Sequence, residues 1–435
     1  MRSILIISLS SLLCWTAAQG QFTLEQAISE ALQKNYSIRI ERNNAFIAEN
    51  NNNPGNAGYL PNVSLNAGRT QSSNNTRQVF FSGQINERNN AKSSANTASL
   101  ELNWTLFDGF KMFSTDKRLQ LEEDRALVEL NAQIEMTIYQ ISALYFTTMQ
   151  LQDMMEVYEE SFRLSEERYA FTKLQFDNGA ATQVQLLQAQ LDAANDRALL
   201  LQYSNELKKL KIQMGVLIGR EMTGSEKYQA VITEDKNWTW EMMMKSSDAQ
   251  NTELLLAKST IAIAQMKRKE AQSLYYPQVN FFGQYAFSNA ENQVGILNSN
   301  RMYGTGVGLS LTWTILDRLS TYTTNKNVVI ELENAKLMEQ EIVQNKNTEL
   351  KSAYMEYELA LSMLKLEEEN NMDVGEMFEL AKVLYDAGSI TPIELREFQF
   401  SLIQAKNRLF AARLNVQTAE LNLRLLVGDF KTMMD

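Results

Sequence analysis

The sequence contains no histidine. That removes Ser–His–Asp triads, Cys–His pairs, His-ligated zinc and the commonest general base. The single cysteine, Cys14, falls inside an N-terminal apolar run, so a mature chain would carry neither a disulfide nor a reactive thiol. No apolar run of eighteen or more residues occurs in the mature chain, which excludes a transmembrane helix but leaves strands open. Basic clusters are missing as well. Lys and Arg total 41 against 52 Asp and Glu, a net charge of −11. An acidic chain of this kind is a poor nucleic-acid ligand. No paired carboxylates, metal-ligand spacing or nucleophile–base set stands out, so neither catalysis nor a cofactor nor a metal is expected.

Residues 1–20 read as an export signal. Arg2 precedes the apolar run Ile4–Trp15, and Ala18-Gln19-Gly20 supplies a small-residue cleavage site. Leu12-Leu13 before Cys14 lack the small residues of a lipoprotein signal.

What is present is a duplication. Phe176-Asp177-Asn178-Gly179-Ala180-Ala181-Thr182 and Tyr385-Asp386-Ala387-Gly388-Ser389-Ile390-Thr391 each join two long helical patterns. Glycine supplies the left-handed residue that ends a helix, Thr caps the next one, and Pro392 suits a first helical position. Gly388 lies 209 positions after Gly179. Trp104-Thr105-Leu106-Phe107-Asp108 returns as Trp313-Thr314-Ile315-Leu316-Asp317, again 209 later, and Leu217-Ile218-Gly219 as Leu426-Val427-Gly428. Tyr59-Leu60-Pro61-Asn62-Val63 matches Tyr275-Tyr276-Pro277-Gln278-Val279 at 216. Four landmarks in one order describe a doubled half-protein, too long in period for a solenoid.

Each half runs helix, strand, loop, strand, long helix, glycine tip, long helix. The expected divisions are a first repeat over 21–219, a connecting equatorial segment over 220–249 and a second repeat over 250–435. The hairpins fall at about 60–107 and 277–316, and the tips at 177–182 and 386–391. Thr23, followed by Gln26, starts the first helix, which continues to the Asn50–Gly55 run. Val63, Leu65 and Ala67 alternate with polar residues, as do Leu100, Leu102, Trp104 and Leu106. Val279–Phe287 and Val307–Ile315 repeat the pattern, and the Asn- and Ser-rich stretch from about Thr70 to Asn96 lies between the first pair. Such alternation fits strands with one face in lipid, and equally a half-buried soluble sheet. The discriminator is whether Leu102, Trp104, Leu311 and Trp313 share one outward belt.

From Met112 to Phe176 there is neither proline nor glycine. Leu151, Met155, Tyr158, Phe162, Ser165, Tyr169, Thr172 and Phe176 follow a heptad, as do Leu395, Phe398, Leu402, Ala405, Leu409, Ala412, Val416, Ala419 and Leu423. The stretch 220–249, with Trp238-Thr239-Trp240 and Met242-Met243-Met244, reads as an irregular connector rather than a methionine metal site. Four strands cannot close a barrel and lipid forbids an open edge, so membrane strands here require several copies.

In the Tyr-x-Pro strand starts at Pro61 and Pro277, the strand ends Trp104–Asp108 and Trp313–Asp317 and both glycine tips, the chain resembles the TolC-like outer membrane efflux family. The resemblance implies a mainly helical fold with membrane strands. Three protomers share a twelve-stranded outer-membrane β-barrel, four strands each, continued by a periplasmic barrel of coiled-coil helices. It implies a passive duct for a tripartite efflux or type I secretion system. A periplasmic adaptor (membrane fusion) protein would dock on the tips at Gly179, Thr182, Gly388 and Thr391, fed by an inner-membrane pump of RND or ABC type. Glu394 and Glu397 would ring the periplasmic aperture, with Tyr385 beside it. They are equally readable as helix-start glutamates stabilised by the helix dipole. Two latch positions depart from the family: Ile390 stands where a basic residue is usual, and Gln185 where an acidic one is. The rival reading is a non-membrane duplicated scaffold or adhesin whose strand faces are both covered.

Overall fold

The computed structural model describes residues 22–222, 224, 226–229 and 238–430. The export signal and Cys14 lie outside them. The order is α1 (Leu24–Lys34), α2 (Tyr36–Asn51), α3 (Pro54–Ala57), β1 (Asn62–Val79), β2 (Ile85–Phe107), α4 (Lys111–Asp177) and α5 (Gln183–Ile218). Then come α6 (Trp240–Gln250), α7 (Thr252–Ser273), β3 (Gln278–Asn292), β4 (Ser299–Thr312), α8 (Ser320–Asp386) and α9 (Pro392–Val427). The duplication is written in element lengths: α4 and α8 each have 67 residues, α5 and α9 each 36.

The chain forms two compact units. One comprises Met1–Glu41, Asn131–Thr252 and Gln344–Asp435; the other comprises Arg42–Leu130 and Glu253–Val343. In the first unit the core is built twice. Ala27, Ile28 and Ala31 of α1 pack with Ile138, Ile141 and Phe146 of α4 and Met214 and Ile218 of α5. Met243 of α6 packs with Leu350 and Tyr357 of α8 and Leu423 and Val427 of α9. Leu350, Leu423 and Val427 are the repeats of Ile141, Met214 and Ile218.

One element corrects the sequence reading. Residues Trp240–Gln250, expected to be irregular, form α6, the second-half counterpart of α1. Thr239 caps it as Thr23 caps α1. The expected single first helix is also broken, at Asn35. Its side chain accepts from the backbone N–H groups of Ser37 and Ile38 and donates to the Leu217 carbonyl at 2.8 Å. Asn251 repeats this 216 residues on, donating to the Leu426 carbonyl at 3.1 Å. Gly219 and Gly428 close α5 and α9 at φ 71° and 77°, hard against these breaks. A Cβ on Gly219 would lie 2.9 Å from the Lys34 carbonyl oxygen, and one on Gly428 2.7 Å from that of Gln250.

In the second unit, the described strands form one antiparallel sheet in the order β1-β2-β3-β4. β2 and β3 join the two halves edge to edge. The stretch from about Thr70 to Asn96, expected as a loop, is mostly strand. Its small polar residues continue the ladder between β1 and β2 to Val79 and Ile85. The Asn–Pro run before β1 is one helical turn: Asn53 caps it, Pro54 opens it and Gly58 closes it at φ 95°. The indole of Trp104 donates to the Tyr59 carbonyl at 2.8 Å, and that of Trp313 to Tyr275 at 3.1 Å. Two sequence landmarks of each half are thus tied together.

Candidate functional site

One face of the sheet is an apolar belt. Across the strands, Val279 faces Leu311. Trp104, Phe281 and Leu309 form the next row. Val63, Leu102, Gly283 and Val307 follow, then Leu65, Leu100 and Tyr285, then Ala67, Ala98, Phe287 and Tyr303. The rows span ~27 Å along the strands at ~3.4 Å per residue, close to the ~25 Å band of outer-membrane strands. Aromatic rings mark both ends, at Trp104 and Phe281 and again at Phe287 and Tyr303. Beyond lies a polar row of Arg69, Asn96, Asn289 and Arg301. Leu65, Val307 and Leu309 are 75%, 75% and 67% exposed. Leu102, Trp104 and Leu311 therefore share one outward belt, while Trp313 lies past the end of β4. The opposite face carries Ser64, Asn66, Ser99, Glu101, Asn103 and Gln284. Among the described residues, β1 and β4 each present an unpaired edge.

The tips are built alike. Gly179 and Gly388 take φ 75° and 73°. The next residues, Ala180 and Ser389, donate their N–H back to the Gln175 and Leu384 carbonyls at 2.8 Å, a Schellman closure. Thr182 and Thr391 then cap α5 and α9 in reciprocal boxes with Gln185 and Glu394. Glu394 accepts from the Thr391 backbone N–H at 2.7 Å and from its hydroxyl at 2.9 Å. The backbone bond and then the hydroxyl hold its carboxyl below the usual range. Its sequence counterpart Gln185 does the same work without charge. Glu397 is exposed one turn further on. Tyr385 is half-buried, lining a cavity of ≈ 240 Å³ with Arg168, Phe378 and Gln399.

Sequence reasoning missed the polar cluster that ties the two hairpins. Asp196 on α5 is 4% exposed. It accepts from Arg396 of α9 at 2.6 and 2.8 Å, from Ser161 of α4 at 3.0 Å, and from Ser165. Gln399 donates to Ser161, and Arg168 donates to Ser165 and Gln399. Burial raises the Asp196 carboxyl, but the Arg396, Ser165 and Ser161 hydrogen bonds outweigh it and hold it below its ordinary value. One signal was available: Asp196 continues the buried stripe Ala189, Ala193 on α5. The expected heptad on α4 is half right. Tyr158, Ser165 and Thr172 are buried, but the alternate positions are Met154 and Ser161 rather than Met155 and Phe162.

The family model described as outer membrane efflux protein matches residues 27–220 and 244–429. The chain belongs to that family. Its place is the outer membrane and its work is efflux. A comparison with curated protein sequences returns no match. Among solved structures, the outer membrane protein VceC of Vibrio cholerae is 15% identical, covers 93% of this chain and 96% of its own, and superposes with a TM-score of 0.74. The CmeC outer membrane channel of Campylobacter jejuni is 13% identical over 93% and 85%, TM-score 0.78. The open state of the MtrE outer membrane channel of Neisseria gonorrhoeae is 16% identical over 93% and 88%, TM-score 0.71. These identities establish a shared fold. As an outer membrane efflux protein, the chain gives the belt its solvent: the uncovered apolar face meets lipid. Among the described residues no helix is long and apolar enough to cross a membrane.

Proposed function

We propose that three copies pool their sheets into a twelve-stranded barrel, β1 of each pairing with β4 of the next, and that the hairpins form a duct below it. The observation that carries this is the four-stranded sheet with one bare apolar face and two unpaired edges. Lipid does not tolerate unpaired backbone N–H and C=O groups, so the edges must find partners. Substrates pass along the polar face without chemistry. The tips at Gly179, Thr182, Gly388 and Thr391 receive a periplasmic adaptor, which links the duct to an inner-membrane pump of RND or ABC type. Glu394, Glu397 and Tyr385 lie near the aperture. Six glutamates from three copies favour cations there. The similarity of the chain to CmeC and MtrE, named as outer membrane channels, supports this reading.

The test is reconstitution. The mature protein, extracted from outer membranes and added to planar bilayers, opens discrete conductance steps. Recovery in the soluble periplasm, with no conductance, overturns the proposal.

A further inference from the structure

The two hairpins of the sheet are unequal. The ladder between β2 and β3 runs to Ser93 opposite Asn292 and ends with one further bond, from the Gln293 N–H to the Lys92 carbonyl at 3.1 Å. Beyond that point β1 and β2 continue alone to Val79 and Ile85, an arm that overhangs the four-stranded sheet. The arm starts at a bend. The register shifts between Asn74 and Thr76, Asn90 adopts a left-handed φ of 55°, and its N–H bonds the Asn75 side chain at 2.8 Å. Both features sharpen local twist and turn a strand.

The arm does not run straight on. Gln78 stands opposite Asn86, seven residues past Ser93, which would carry it ~23 Å beyond Asn292 at ~3.3 Å per residue. Instead Gln78, Val79 and Phe80 line one cavity of ≈ 550 Å³ with Asn292 and the loop Val294–Leu297. Arg88 bonds the Gln293 carbonyl at 3.1 Å, so the arm is folded back over the end of the sheet. The side is legible. Asn292 alternates with Gln284 and Ser288 on the polar face, and Ala91 alternates with Ser93 there too, yet Ala91 is only 7% exposed. The arm leans over the polar face.

Its tip is apolar. Phe81 is fully exposed, and Val79, Ile85, Ile296 and Leu297 are exposed with it. These residues are not part of the lipid belt, because the polar row through Arg69 and Arg301 and the strand beyond it separate them from Tyr303. Exposed apolar tips that recur in three copies have a natural partner in each other. Twelve strands ~4.8 Å apart at ~40° tilt close a ring ~24 Å across, so the axis lies ~12 Å from the wall. An arm of eight residues reaches ~26 Å.

We propose that the three arms fold inward over the outer mouth of the barrel, where Phe81 and Ile296 of each copy meet their equivalents from the other two and form an apolar constriction. The inference rests on the trimeric reading above. An apolar ring of this kind restricts passage of water and polar solutes from outside, and widens when a substrate pushes through.

The mature chain lacks cysteine, so the geometry can be read by cross-linking. Phe81→Cys, treated on intact cells with a short bis-maleimide, gives covalent dimers, the most that one thiol per chain allows, whereas Arg69→Cys on the outer face stays monomeric. In a second assay Thr97→Cys, on the polar face beneath the arm, is labelled from outside by a bulky maleimide. The labelling accelerates at least about tenfold when Phe81→Ser and Ile296→Ser are added. A trimer in which Phe81→Cys takes up single maleimides but never cross-links, or in which Thr97→Cys labelling does not change, overturns this inference alone. Tips that splay outward in that way are free for a lipopolysaccharide or an external partner. A protein that never trimerises overturns it together with the proposed function.

Discussion

Arg396 of α9 reaches Asp196 of α5 with both terminal nitrogens, at 2.6 and 2.8 Å, and so fastens the second helical hairpin to the first within one protomer. Asp196→Asn removes the charge that neutralises Arg396 and leaves Arg168 close by. Losing one partner of a buried pair costs about 3 kcal/mol. The expected outcome is faster hydrogen exchange around Ser161–Ser165 and a larger resting conductance. The pH dependence follows from the carboxyl being held below its ordinary 3.8. A depressed acid stabilises the fold above its unfolded value, so the tie is complete across pH 5–8. It is lost only as acid takes the pH below about 4.

At the tip, Glu394 serves its own helix cap, so charge and capping can be separated. Glutamine keeps the acceptor oxygen for the Thr391 N–H, as Gln185 does at the first tip. Glu394→Gln with Glu397→Gln therefore folds as before, but lowers cation selectivity and weakens block by multivalent cations in planar bilayers. Unchanged selectivity means that neither side chain lines the constriction.

Two copies of one joint exist at the equator, and both can be broken. Asn35→Ala and Asn251→Ala each lose a side-chain bond to the neighbouring helix end, worth about 2 kcal/mol when buried acceptors are left unpaired. Gly219→Ala and Gly428→Ala cost at least as much, because the methyl meets a backbone carbonyl at 2.9 and 2.7 Å in a left-handed residue. Thermal unfolding of the four variants, compared pairwise, shows similar losses in the two halves.

The strand-to-helix joints behave in opposite ways. Gly109 and its repeat Arg318 both have positive φ, 72° and 59°. Arg318→Gly relieves a left-handed non-glycine residue and stabilises by about 0.5 kcal/mol after the unfolded-state cost of glycine. Gly109→Ala destabilises, because its Cβ would sit 2.5 Å from the Ser273 carbonyl oxygen. Denaturant midpoints decide the sign of each.

The doubling was legible because its landmarks do local work that only a few residue types can do. Gly179 and Gly388 take left-handed φ, Thr182 and Thr391 cap helices, and Trp104 and Trp313 pin the chain before each hairpin. The belt was legible wherever large apolar residues alternate. Past Ala67 and Ala98 the strands leave the belt, both faces turn polar, and the alternation that reveals a strand vanishes although the ladder continues. Asn35 and Asn251 escaped notice because an asparagine inside a helical pattern carries no periodic signal; only a tertiary carbonyl within reach makes it a break. Asp196 was hidden for the same reason. Its partners Ser161, Ser165 and Arg396 come from two other helices, 31 to 200 residues away in sequence.

The central claim is that one chain holds only a third of a sealed wall. The most direct measurement is the mass of the mature protein extracted from outer membranes in mild detergent, by light scattering or native mass spectrometry. The account predicts a particle of three chains that falls apart only on heating. A particle of one chain that remains folded and embedded in the membrane would contradict it.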